Sequence, residues 1–428
     1  MKITEMHITP IVLGDPPLLN AAGLHAPYCL RTVVELKTDT GLTGLAEVPG
    51  SVAVDAALAA VRDTVIGSDP LNWFALRNQL AARCSPETSV ARGDKPWDGR
   101  TRVQVYSALD VACLDIQGRA YGQPVANLLG GIVRERVPYS AYLFYKYEGA
   151  GGELAFGIDP KATGWDAARQ AAALDPEGVV AQAVAMVKEF GFESIKLKGG
   201  VFPPAQEVAA MKALYAHFGP KVPLRLDPNA LWTVATSIEY GQQLEGILEY
   251  LEDPCRTQEG MAAVRRALKT PLATNMCTTS FDDLPGSVKH QSEDIILTDH
   301  HYWGGLHASM ELAAHCRVFG RGVSMHSNNH GGISLAAMTH LGAAMPNLTY
   351  ALDTHYPWQW EDIIVGGRMK IEGGCVTVPK GPGLGVDLDH AALARAHEAY
   401  KRAGLKERND EIEMQKKVPG WKFSATRW

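Results

Sequence analysis

The sequence predicts an α/β fold: a modified (β/α) TIM-type barrel with an α+β capping domain built from the N-terminal segment and the C-terminal tail. Two observations carry this reading. Short apolar runs ending in polar residues recur with their ends at 198, 227, 252, 275, 299, 326 and 353, a spacing of 23 to 29 residues. A strand–helix unit of that size, repeated eight times, builds a barrel of about 250 residues. Residues 1–131 and 366–428 do not keep the rhythm, which sets the boundaries: a capping domain over 1–131, a barrel over 132–365, and a tail over 366–428 that packs back on the cap.

The cap opens with a strand over 32–38, a turn at Gly41 and a second strand over 43–47. Ser107 to Arg119 reads as a helix because Leu109, Ala112, Cys113 and Ile116 recur at helical spacing. Gly122 and the Gly130-Gly131 pair mark the boundary. Val137–Tyr145 is the first barrel strand. The Gly-rich, polar stretch from Glu148 to Asp175 is too long for a plain connection and reads as a loop over a site. Asp175-Pro-Glu then starts a helix that Gly191 ends, since a capping acid, a proline in the first turn and a terminal glycine are its ordinary punctuation. Seven further strands follow, over 194–198, 223–227, 250–252, 272–275, 295–299, 322–326 and 350–353. The tail carries a strand-like run from Cys375, a Gly/Pro turn over 381–385 and a helix over 389–403.

Composition narrows the partners. The chain has 428 residues, 46% hydrophobic and 21% charged, which is the profile of a folded globular protein. With 41 Lys+Arg against 47 Asp+Glu the net charge is −6, which argues against nucleic acid as a partner. No apolar run reaches the length of a membrane span. The seven cysteines are scattered and never paired as CxxC, and the first ten residues lack a signal-peptide core, so we expect reduced thiols and a cytoplasmic location.

In a βα barrel the chemistry sits at the carboxyl ends of the strands. Asp227, Glu252 and Asn275 end three consecutive strands, and two carboxylates with an amide oxygen suit a hard cation such as Mg²⁺. Any one of them alone would be an ordinary helix cap. Glu259, seven residues beyond Glu252, competes as the second ligand. Lys196 and Lys198 share a strand face, and a divalent ion together with burial should disfavour the ammonium of such a lysine. His326 lies one strand beyond Asp299, and a neighbouring carboxylate fixes an imidazole for acid–base work. His300, His301, His330 and His340 are read as structural or supporting residues. Lys198 and His326 thus become two bases on opposite faces of a metal-bound acid: either could remove the α-proton, Mg²⁺ would stabilise the resulting enediolate, and His326, once protonated, would give its proton to a departing β-hydroxyl.

The chain resembles the glucarate dehydratase family of the enolase superfamily over nearly its full length. The matching stretches are Leu18–His25, Lys196-Leu-Lys-Gly-Gly200, Leu226–Asn229, Glu252-Asp-Pro-Cys255 and Ala273-Thr-Asn275. They continue with His326-Ser-Asn-Asn-His330, Ile333-Ser-Leu335, Asp353-Thr-His355 and the tail from Arg408 to Trp421. The resemblance implies Lys198 and His326 as bases with Asp299 in support. It also implies substrate contacts from His25, Tyr142, Lys196, Asn229, Ser327, Asn328, His355 and Arg408. The implied reaction is Mg²⁺-dependent dehydration of D-glucarate or L-idarate to 5-dehydro-4-deoxy-D-glucarate, with a small C6 diacid as partner and a homo-oligomer left open. Two departures bear on the substrate: Pro96 stands where the family carries a threonine, just before Trp97-Asp98, and the 148–175 stretch follows its own sequence. The alternatives are a dehydratase for another aldarate or aldonate such as galactarate, an epimerase or racemase on the same scaffold, and a non-catalytic metal-containing relative.

Overall fold

The computed structural model describes residues 1–83, 100–152 and 155–428, so Pro96, Trp97 and Asp98 lie outside the described residues. The cap is a three-stranded antiparallel sheet with Tyr28–Thr38 between Ile3–Gly14 and Thr43–Pro49. Against it lies the helix Thr101–Tyr121, closed by Gly122 in the left-handed conformation at φ 64°. Strand and helix approach so closely that a Cβ on Gly44 would fall 2.1 Å from the Ala112 carbonyl oxygen, which is why glycine stands there.

Eight parallel strands form the barrel, beginning with Arg136–Phe144 and running through Ile195–Lys198, Leu224–Asp227, Leu248–Glu252, Leu272–Thr274, Ile295–Thr298, Gly322–Met325 and Leu352–Asp353. Leu352–Asp353 pairs back onto the first strand. The remaining seam, between the seventh and eighth strands, is held by bonds from the Thr349 and Tyr350 N–H groups to the Val323 carbonyl at 3.1 and 3.3 Å. The barrel is therefore nearly closed. Leu143, Leu197 and Leu226 are register partners and share one face, while Phe144, Lys198 and Asp227 share another.

Asp175 caps the helix Pro176–Phe190 by accepting the Gly178 N–H at 2.8 Å, and Gly191 ends it at φ 72°. Among its described residues the preceding stretch is mostly irregular, with a short α-helix over Gly164–Ala168. It packs on the segment after the last barrel strand, where Trp165 donates to the Pro357 carbonyl at 3.0 Å. In the tail, Cys375–Thr377 runs antiparallel to the first barrel strand and so extends the barrel wall, not the cap. The helix His390–Ala403 lies on the cap strand Ile3–Gly14, with His397 donating to the Pro10 carbonyl at 2.7 Å. Among the described residues no helix is long and apolar enough to cross a membrane.

Candidate active site

A cavity of about 390 Å³ opens at the carboxyl ends of the strands, between barrel and cap. Lys198, Asn229, His326, Ser327 and Asn328 line it from the barrel. His25 reaches it from the cap, and Arg408 from the tail.

Asp227, Glu252 and Asn275 come together as three neighbouring strand ends, all buried. The Asn275 amide donates to Glu252 Oε1 at 2.6 Å. The chain bends sharply here: Asn229, Ala230, Asp253 and Thr257 all take positive φ, the kind of strained backbone that clusters at functional sites. Asp253 uses its bend to hold Asn275, accepting its backbone N–H at 2.8 Å and the Thr274 hydroxyl at 2.5 Å. Glu259 is not part of this group. Thr257 caps the helix Gln258–Ala267, which puts Glu259 in the first turn with its side chain 69% exposed and 3.5 Å from His290. The helix phase carries it away from the strand ends, so Glu252 and not Glu259 stands beside Asp227 and Asn275.

The donor set fits a divalent cation. Burial and the neighbouring Asp227 carboxylate push Glu252 well above its usual range, a crowding of negative charge that a bound cation would relieve. Two ammonium groups sit against these acids. Lys196 Nζ lies 2.5 Å from Glu252, 2.6 Å from Asp353 and 3.8 Å from Asp227, while Lys198 Nζ lies 2.7 Å from Asp227. Here the structure departs from the sequence expectation for Lys198. Burial is the largest single influence and pushes its ammonium down, but Asp227, Tyr142 and Glu252 together outweigh it and the group is raised. A cation that neutralised Asp227 and Glu252 would remove that counter-charge and leave burial in command.

Asp299 ends the sixth strand with each oxygen bonded to an imidazole. Oδ2 accepts from His326 Nδ1 at 3.0 Å, and Oδ1 accepts from His301 Nδ1 and from the His301 backbone N–H, both at 2.9 Å. Burial would raise this carboxyl, but the His301 and His326 contacts hold it well below the usual range. It is therefore an acceptor, and His326 carries its proton on Nδ1, leaving Nε2 for proton transfer. His301 reaches the cap: its Nε2 lies 3.2 Å from Arg31, which is fully buried and paired with Glu47 at 2.6 Å. The sequence places His301 among the structural or supporting residues, and the structure shows what it supports: Asp299 on one side and the cap on the other.

Tyr142 faces Lys196, with the ammonium 5.0 Å from the ring centre, and burial pushes its hydroxyl up to about 12. Asn229 donates its backbone N–H to Asp227 at 2.9 Å. The Ser327 hydroxyl accepts the His355 backbone N–H at 3.2 Å, and Asn328 donates to Tyr302 at 2.6 Å. His355, His25 and Arg408 gather around Asp15, a residue that sequence reasoning did not single out.

Residues 178–392 match the family described as enolase C-terminal domain-like, and residues 26–130 match the mandelate racemase / muconate lactonizing enzyme N-terminal domain. The chain belongs to the enolase superfamily. Within it the protein is a dehydratase, a carbon–oxygen lyase. A Streptomyces coelicolor protein named a probable glucarate dehydratase is 45% identical over 100% of this chain and 99% of its own. An enolase from Mycobacterium smegmatis, solved with tartrate, is 48% identical with a TM-score of 0.91, covering 100% of this chain and 98% of that one. One from Pseudomonas fluorescens, solved with magnesium, potassium and tartrate, is 44% identical with a TM-score of 0.91, covering 100% and 99%.

Proposed function

We propose that this enzyme dehydrates D-glucarate, and its epimer L-idarate, to 5-dehydro-4-deoxy-D-glucarate, with Mg²⁺ held by Asp227, Glu252 and Asn275. The observation that carries the reading is the convergence of Lys198 and the Asp299-held His326 on one cavity, beside the buried Asp227 and Glu252 whose mutual crowding a cation would relieve. When bound, magnesium supplies positive charge that favours loss of the proton α to a carboxylate. His326 Nε2 takes that proton, or returns it to the departing hydroxyl, while Asp299 stabilises the imidazolium through Nδ1. Lys198 serves substrates of the opposite configuration from the other face. Lys196, fixed by Glu252 and Asp353, holds positive charge beside the reacting carboxylate. Tyr142, Asn229, Ser327 and Asn328 bind the hydroxyl groups, and His25, His355 and Arg408 form the end that takes the second carboxylate, with the Arg408 guanidinium as its donor. The relatives' names and their bound hydroxy-acid ligands support the same substrate class.

The test is a panel of C6 aldarates and C4–C6 aldonates with Mg²⁺ present, read as semicarbazide-reactive 2-keto acid. We expect D-glucarate and L-idarate to give product. Turnover of another acid sugar alone would displace the substrate, and formation of a diastereomer carrying solvent deuterium without keto acid would make the enzyme an epimerase.

A further inference from the structure

Asp15 follows the cap strand Ile3–Gly14 and forms part of the cavity wall while being only 1% exposed. A bare carboxylate there would repel an anionic ligand. Its oxygens are instead engaged: Oδ2 accepts from His25 Nδ1 at 2.7 Å and from the Asn329 amide at 2.5 Å, and Oδ1 accepts from His355 Nε2 at 3.2 Å. Burial would raise the carboxyl, but the His25 and His355 contacts hold it well below its usual value, so it accepts and both facing ring nitrogens carry protons. Each imidazole is thereby fixed in one tautomer. His25 Nε2 meets Arg408 Nη2 at 2.8 Å. Asp410 holds the Arg408 guanidinium at two points, 2.8 and 2.5 Å, and Asn20 in turn donates to Asp410 at 2.6 Å.

The surroundings over-determine the position of Asp15. Its backbone N–H donates to the Pro27 carbonyl at 2.9 Å, and Gly151 packs so tightly that a Cβ there would fall 2.2 Å from the Asp15 carbonyl oxygen. Phe144 sets its ring edge-on to both imidazoles, with centroids 6.0 and 5.2 Å away. A buried carboxylate clamped by the backbone, serving two rings from separate segments of the chain, is a device for orientation.

We propose that Asp15 is the positioning residue that makes this end of the cavity select dicarboxylates: by holding the His25 proton on Nδ1 it leaves Nε2 to accept from Arg408, and so sets the guanidinium that meets the second carboxylate. The inference rests on the diacid reading given above and adds the residue that enforces it. Asp15→Asn keeps the volume but offers one acceptor where two imidazole N–H groups now converge, so one ring must turn or change tautomer.

Binding of D-glucarate and of D-gluconate, which ends in a hydroxymethyl group, is measured by calorimetry with Mg²⁺ in a His326→Asn background that blocks turnover. Asp15→Asn is expected to weaken D-glucarate about tenfold or more while D-gluconate changes by less than about twofold. Asn329→Ala, which removes one donor and leaves both imidazoles paired, is expected to leave the ratio within about twofold. An unchanged ratio in folded Asp15→Asn, including equal weakening of both ligands as from general disruption, overturns the proposal, as does an equal shift in Asn329→Ala. So does a parent protein that binds the two acids equally. Turnover of D-glucarate by the unmodified enzyme is scored separately: its absence with the binding ratio intact would remove the proposed reaction and leave dicarboxylate selection standing.

Discussion

Replacing Asp299 by asparagine separates orientation from mere presence of His326. The carboxylate serves three donors, the ring N–H groups of His326 and His301 and the backbone N–H of His301. An asparagine has one oxygen, and the backbone N–H at 2.9 Å from Oδ1 cannot be turned away. The oxygen must therefore remain on that side, and the amide N–H₂ must face His326 Nδ1. Two donors cannot meet, so His326 is driven to the other tautomer, with its proton on Nε2, where it cannot act as a base. The same tautomer error in the serine protease triad lowers kcat by about 10⁴, equivalent to about 5.5 kcal/mol of transition-state stabilisation. We expect Asp299→Asn to lower kcat for D-glucarate dehydration by about 10³ to 10⁴ while KM stays within about threefold, because the side chain supports the base and does not touch substrate. The assay is keto-acid formation under steady state, with circular dichroism confirming the fold. A loss of less than about tenfold would refute the assigned role of the Asp299–His326 pair.

Three further outcomes follow from other parts of the molecule. Chelation should abolish activity and added Mg²⁺ restore it, as read by keto-acid formation; activity indifferent to chelator would remove the cation from Asp227, Glu252 and Asn275. Burial lowers His340 to about 4, and its ring is used on both edges: Nε2 donates to the Leu384 carbonyl at 3.0 Å, and Nδ1 accepts from the Ala126 N–H at 3.3 Å. Because the folded value lies below the unfolded one, near 6.5, the unfolded chain binds more protons between the two, and the contribution is lost as pH falls through that window. Urea midpoints at about pH 7.5 and about pH 5 should show His340 costing the native state about 2 kcal/mol at the lower pH, a difference that His340→Gln lacks. Gly44→Ala should destabilise the protein by about 3 kcal/mol by forcing the cap strand off the Ala112 carbonyl, seen as a lower thermal midpoint.

The barrel was legible because its signal is periodic. From the second strand on, the apolar runs give way to polar residues at a spacing of 23 to 29, and all eight of the predicted strands appear within a few residues of their expected limits. Asp227, Glu252 and Asn275 could be named together because parallel register brings consecutive strand ends side by side. Glu259 illustrates what spacing alone cannot decide. It shares a segment with Glu252, but the Thr257 cap fixes the phase of the following helix and turns it outward. A reading of Thr257 as a cap, accepting from the Gly260 N–H, would have excluded it. Asp15 carried no such signal. Its partners lie 10, 314 and 340 residues away, and its Gly14-Asp-Pro-Pro17 context has no period. What Asp253 and His301 do was hidden for a related reason: each acts on a neighbour already identified, so the sequence showed the residue held and not the residue holding it.

The two ends of the cavity share one construction. Asp299 bridges His326 and His301, and Asp15 bridges His25 and His355, each a buried carboxylate with an imidazole on either oxygen. The consequence differs because the partners beyond differ. At Asp299, the second imidazole leads to Arg31 and Glu47 in the cap sheet, so the orientation of the proposed base depends on how the cap seats on the barrel. At Asp15, one imidazole leads to Arg408 in the tail, so the proposed receptor for the second carboxylate depends on how the tail seats on the cap. In both cases a buried acid sets which nitrogen of each ring carries the proton. Loss of a hydrogen-bond acceptor at either position should therefore act through ring orientation, altering rate at one end and choice of ligand at the other.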